Sequence, residues 1–269
     1  MLIALSIALH GNCCHGADQP AAPVALPASI TVCDDDAERP PFVYYQRQFG
    51  VKTEKVTGFA VEVLRQILAS RNMTFTVELL PWRRCLNSVQ EGRVDMVLSV
   101  TKNPEREKQL LFSTALYVTR LVYFFDGERP PPQVLTRDDL LKYKICLVSG
   151  MNYSQFGLPP NSPNVAGAAK SLGQAFLMLK SKRCEIVPAR LEGAIGYRLI
   201  GLADYEQIGL SVAAMPDRAN ATQSLHFAVS VRHAQAQALV QLLNDGLEHL
   251  KVTGEISNLS DRFGLARQH

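Results

Sequence analysis

The sequence predicts an α/β protein of two lobes, each built on a doubly wound, mostly parallel sheet, and three observations carry that reading. Strands and helices alternate from Ile30 onward. A proline-rich loop after Phe125 breaks the alternation. A second cycle then starts at Lys144 and runs into a long leucine-rich helix. Alternation of this kind sandwiches a sheet between helices and leaves ligands to bind at the carboxyl ends of the strands.

The elements follow in order. ITVC (Ile30 to Cys33) is the first strand, followed by a polar turn rich in Asp and Pro. In FAVEVLRQILA the apolar residues Phe59, Val63, Leu64, Ile67 and Leu68 fall on one helical face. TFTVELL (Thr74 to Leu80) is a strand, WRRCLNSVQEG a helix, and VDMVL (Val94 to Leu98) the third strand. After LVYFF (Leu121 to Phe125), the prolines of GERPPPQVLTRDDL mark a loop near a boundary. In the second cycle KICLV (Lys144 to Val148) is a strand and GMNYSQF opens a helix. Ser171 is the N-cap of the helix SLGQAFLMLKSK. CEIVPA (Cys184 to Ala189) and HFAVSV (His226 to Val231) are strands. The last helix places Leu239, Leu242, Leu243, Leu247 and Leu250 on one face and stops at Gly254.

The totals exclude several classes of function. At 269 residues, 47% hydrophobic and 20% charged, the chain has a globular composition with room for two cores. Its 28 basic and 25 acidic residues are scattered, so the net charge of +3 forms no basic stripe and nucleic acid is not an expected partner. The N-terminal run LIALSIAL, followed by small residues, has the pattern of a secretory signal peptide over residues 1–17, cut near Gly16 or Ala17. No basic residue precedes that run, and no later segment reaches the roughly 18 apolar residues of a membrane span. Export favours disulfides among the remaining Cys33, Cys85, Cys146 and Cys184. Two bridges and four buried thiols both fit the spacing. None of the four has zinc-ligand spacing, and no metal or cofactor is expected.

One residue stands out. In SVTKNPEREKQLLFS, Arg106 follows a buried-looking strand and precedes an apolar run. An arginine beside a core needs a partner; the alternative is a surface arginine on a short helix.

Six segments in order resemble the bacterial extracellular solute-binding protein family that includes the polar amino-acid receptors of ABC importers. They are PPF (Pro40 to Phe42), GFAVEVL (Gly58 to Leu64), LPWRRCLNSVQEGRVDMVLS (Leu80 to Ser99), NPER (Asn103 to Arg106), FSTALY (Phe112 to Tyr117) and LNDGLEHLKVTGEI (Leu243 to Ile256). The resemblance spans nearly all of the mature chain. It implies a two-lobed, periplasmic-binding-protein-like fold of type II with two hinge crossings. Lobe 1 would comprise residues 27–118 plus 228–269 and lobe 2 residues 119–227. Arg106, six positions before Phe112, takes the place of the arginine that grips the ligand's carboxylate, with Ser99 and Thr101 beside it. A guanidinium offers a planar fork of donors matched to that group. The resemblance also implies the pairing Cys33 with Cys85, because related chains with a WxRC segment place a cysteine on strand one. Cys146 would pair with Cys184 on neighbouring strands of lobe 2.

Three departures narrow the ligand. Arg39 stands where the amino-acid receptors place an aromatic residue. The count from Glu185 to the acid that holds the ligand's ammonium reaches Arg190, with Glu192 as a substitute if the register shifts. Gly150, Met151 and Asn152 replace the Gly-Thr pair at the second-lobe helix. An arginine cannot accept from an ammonium group. Trp82 is a candidate for stacking on the ligand or for packing, and Asp36 for accepting a ligand donor or capping its turn. The resemblance thus implies a monomeric periplasmic receptor for an amino acid or related organic anion, delivering to an ABC permease of the inner membrane. The alternatives are a ligand-sensing partner of a membrane receptor and a dehydratase-like enzyme with Glu192 or Glu185 as general acid. For an enzyme the sequence offers no nucleophile with a nearby base, and its histidines lie in no catalytic-looking segment.

Overall fold

The computed structural model describes residues 25–131, 136–151, 153–158, 162–216 and 221–266. The expected signal segment and Asn152 lie outside them. The first part of the chain forms β1 (Ser29–Asp35), the hairpin β2 (Tyr44–Gln48) and β3 (Val51–Thr57), α1 (Phe59–Ala69), β4 (Thr74–Leu80), α2 (Trp82–Gln90), β5 (Met96–Val100), α3 (Pro104–Glu107) and β6 (Leu110–Phe112). A long strand, β7 (Tyr117–Asp126), leads to α4 (Arg137–Leu140), β8 (Ile145–Val148), β9 (Val165–Ala169), α5 (Leu172–Lys180), β10 (Val187–Arg190), α6 (Leu191–Leu199) and β11 (Leu210–Ala214). The chain returns through β12 (Thr222–Ser230) to α7 (Ala236–Val252) and α8 (Glu255–Arg262).

Two strands tie the lobes together. The main sheet runs β4, β1, β5, β12, β7, β10, with β6 on β12 and β11 on β7. Its first-lobe centre is parallel, β1 lying between β4 and β5. In the second lobe β8 and β9 are parallel, and a parallel bridge joins Ile145 to Ile186. Pairing turns antiparallel where the crossing strands enter. Tyr117 to Arg120 of β7 pairs with Leu225 to Thr222 of β12, and Leu121 to Phe124 of the same strand pairs with Arg190 to Val187 of β10.

The apolar stripes explain the helices. Phe59, Val63, Leu64, Ile67 and Leu68 are all buried, and together with Leu239, Leu243 and Leu247 of α7 they enclose the first-lobe core. The second lobe has its own core around Phe124, whose ring lies 4.8 Å from Phe176 and 5.1 Å from Tyr205. Ser171 caps α5 by accepting from the Gln174 amide. Gly254 ends α7 in the left-handed region, and α8 starts at the next residue.

Two expectations for the second lobe need correction. Among its described residues GMNYSQF opens no α-helix: Ser154–Phe156 forms a single 3-10 turn, ended by Gly157 at φ 71°. CEIVPA becomes a strand only from Val187, because Glu185 and Ile186 both donate their amides to the Lys144 carbonyl.

Both disulfides form. Cys33 on β1 joins Cys85 on α2, Cα to Cα 5.7 Å, and Cys146 on β8 joins Cys184, 5.6 Å. Each stays within one lobe core, so neither restrains motion between lobes. Changing both Cys33 and Cys85 to Ser is expected to lower the unfolding free energy by about 2 to 4 kcal/mol, since the bridge closes a long loop in the unfolded chain. Urea denaturation reads this directly; an unaltered midpoint would refute it.

Candidate functional site

The cleft lies at the carboxyl ends of β1 and β5, where the doubly wound sheet leaves a crevice. Between the lobes it narrows to a cavity of about 90 Å³ that opens into a wider outer mouth. Arg39, Trp82, Ser99, Thr101 and Arg106 line it from the first lobe; Met151 and Arg190 line it from the second.

Arg106 is placed by α3, a single turn capped by Asn103, whose side chain accepts from the Arg106 amide. The cap turns the guanidinium back toward β5, where Nη1 donates to the Thr101 carbonyl at 2.9 Å and to Thr101 Oγ1 at 3.0 Å. Both acceptors are neutral. Burial, with the Arg39 charge beside it, lowers the Arg106 pKa to about 10. Arg190 sits at the end of β10 and donates to Gln223 Oε1 on the crossing strand β12. Burial first, then the charges of Arg39 and Arg106, lower its pKa to about 10 as well.

Arg39 is held differently. It forms an ion pair with Asp34 and donates to the Ser99 carbonyl at 2.9 Å. Ser99 Oγ donates to the other Asp34 oxygen at 2.8 Å. The Trp82 ring packs beneath two of these cations, its centroid 4.5 Å from the Arg39 guanidinium carbon and 5.5 Å from that of Arg106.

Three candidates fall elsewhere. Asp36 is exposed and lines only the outer mouth, because it lies one residue past the end of β1 with its amide bonded to the Leu80 carbonyl. Glu192 is buried but faces the crossing strand, accepting from the Arg120 amide at 2.9 Å and from Arg120 Nε at 2.8 Å. Glu185 is exposed and accepts from the Lys144 amide. Neither glutamate reaches the cavity wall, so neither is placed as a general acid there.

Sequence reasoning missed three groups. Asp34 is fully buried and anchors Arg39. Glu38 lines the cavity but is occupied by Arg47 at 3.0 Å and Lys52 at 3.2 Å. Tyr197 reaches across from α6 toward the Ala37 carbonyl at 3.4 Å. The lobes also meet through glycines: Gly150 packs on Trp82 and Gly196 on the backbone of Pro40.

Comparison with known proteins agrees with this geometry. The model of the bacterial extracellular solute-binding proteins, family 3, matches residues 30–266, and the chain belongs to that family. A relative from Neisseria gonorrhoeae, a probable histidine-binding protein, is 24% identical over 264 residues, 95% of this chain and 91% of the relative. The substrate-binding protein of an amino-acid ABC transporter superposes with a TM-score of 0.69 at 23% identity, covering 87% of this chain and 98% of that one. A histidine kinase sensor domain similar to periplasmic binding proteins gives 0.72 at 20% identity, covering 87% and 95%. The type II periplasmic-binding fold is thereby shown. Among the described residues, no helix is long and apolar enough to cross a membrane.

Proposed function

We propose that this protein is an exported receptor that encloses a small carboxylate-bearing solute between its lobes and presents it to an ABC permease of the inner membrane. Arg106 carries the reading: it lines the interlobe cavity and, among the described residues, bonds only neutral acceptors. The carboxylate completes its fork, while Ser99 and Thr101 lie beside it on the wall. The protein works as a monomer in the periplasm, and its signal peptide is removed. Its lobes, residues 27–118 plus 228–269 and residues 119–227, swing about β7 and β12. Separate cores and disulfides confined to single lobes support such a motion.

The test is a thermal-shift screen of amino acids and small organic acids, since a ligand that binds only the folded protein raises its melting temperature. For the best binder, Arg106→Ala is expected to weaken affinity by about 2 to 5 kcal/mol, as truncating one partner of a desolvated charge pair does. The melting temperature without ligand should stay close to that of the unaltered chain. Equal affinities in the two proteins would remove Arg106 from the site.

A further inference from the structure

The charges on the cavity wall do not balance. Arg39 is neutralised by Asp34, and Glu38 by Arg47 and Lys52. What remains is Arg106 from one lobe, Arg190 from the other, the exposed Lys170, and Asp35. Among the described residues, neither Arg106 nor Arg190 has a carboxylate partner; each bonds only neutral oxygens. At neutral pH both stay protonated, since burial and the nearby Arg39 charge bring each only to about 10. Closing the lobes therefore brings two like charges together in a space that screens them poorly.

Hydrogen bonding points the same way. Among the described residues, Nε of Arg39, Nε of Arg190 and Nε2 of Gln223 are buried without an acceptor. All three are donors. Arg39 and Arg190 line the cavity, so a ligand rich in acceptors suits their side of it, whereas an ammonium group brings only further donors. Among the described residues, Asp35 is the one carboxyl on the wall outside an ion pair, so an ammonium would have to rest on it. Burial raises the Asp35 pKa and disfavours its charged form, and its Oδ1 already accepts from the Ala37 amide.

We propose that the solute is a small dicarboxylate without an α-ammonium group, one carboxylate on Arg106 and the other on Arg190. This rests on the carboxylate-binding reading above and sharpens it. A monocarboxylate would leave one guanidinium uncompensated, and an α-amino monocarboxylate would return a positive charge to a site already in excess. A dicarboxylate neutralises both and draws the lobes together, because it touches one arginine from each.

Calorimetric titration of the full chain tests this with succinate, glutarate, adipate and phthalate against butyrate and benzoate, and against aspartate, glutamate, histidine and arginine. The expected result is at least one diacid binding about 30-fold or more tighter than every monoacid and amino acid, as a second desolvated charge pair provides. Arg190→Gln should bring that diacid down to the affinity of the monoacids. An amino acid or monoacid binding as well as the best diacid overturns the dicarboxylate and leaves the carboxylate receptor standing. Absence of binding by every acid overturns both. Undiminished diacid affinity in Arg190→Gln overturns the two-arginine bridge. If that variant does not fold, the comparison of diacids with monoacids and amino acids on the unaltered chain decides alone.

Discussion

Replacing Asp34 with Ala is expected to lower the unfolding free energy by about 3 to 5 kcal/mol, the cost of stranding one partner of a buried ion pair. Asp34 has no exposed surface, and its two oxygens serve Arg39, the Ser99 hydroxyl and the Asp35 amide. Its loss leaves the Arg39 charge near Arg106 and Arg190 without a counter-ion, and a buried hydroxyl without an acceptor. Asp34→Asn keeps one oxygen acceptor, on the side of the Asp35 amide, and turns an N–H donor toward the Ser99 hydroxyl oxygen, so it loses the charge but less stability than Ala does. Urea unfolding of the three proteins measures the ordering. A full-strength Asp34→Ala protein would show that Arg39 is not held by this pair.

Three aspartates follow Cys33, and nothing in their identity says which one faces inward. Strand parity does: Ile30, Val32 and Asp34 alternate along β1 and all three are buried. The polar residue on an otherwise apolar face is the informative one. Asp36 keeps the same parity but lies beyond the last paired residue of β1, so it turns out into the mouth of the cleft.

Elements with strong periodicity were legible, and those held by tertiary contacts were not. The stripe of α1 and the leucines of α7 locate both helices, because burial of one face repeats at the helical period. The hairpin of β2 and β3 gives no such sign: YYQRQ and VKTEKVT are largely exposed on both faces, and the turn at Phe49 and Gly50 is marked only by its positive φ. Helix α6 is equally silent, since LEGAIGYRL contains two glycines and no clean stripe. The position of Arg106 beside the cleft came from resemblance to the family. What the sequence could not supply was the count of charges around it, which depends on Asp34 and Glu38 being taken by other partners.

The glycines of α6 lead to the other large effect. Gly196 lies so close to the first lobe that a Cβ there would stand 2.2 Å from the Pro40 carbonyl carbon and 2.4 Å from its oxygen. Those are backbone atoms, which cannot swing aside as a side chain could. Gly196→Ala should therefore leave each lobe folded, and even favour α6 by about 0.5 to 1 kcal/mol, since Ala loses less conformational freedom in a helix. The closed arrangement would suffer instead, by about 3 kcal/mol or more for forced overpacking. Because the solute engages groups on both lobes, its apparent affinity falls with the fraction of closed protein, about 100-fold for that penalty. Small-angle scattering with the best acid from the screen separates this from simple damage. The unaltered chain should contract on saturation, and Gly196→Ala should bind weakly and contract less, with a melting temperature no lower than before. Equal affinity and equal contraction in the variant would mean that α6 does not approach Pro40 this closely in the liganded state.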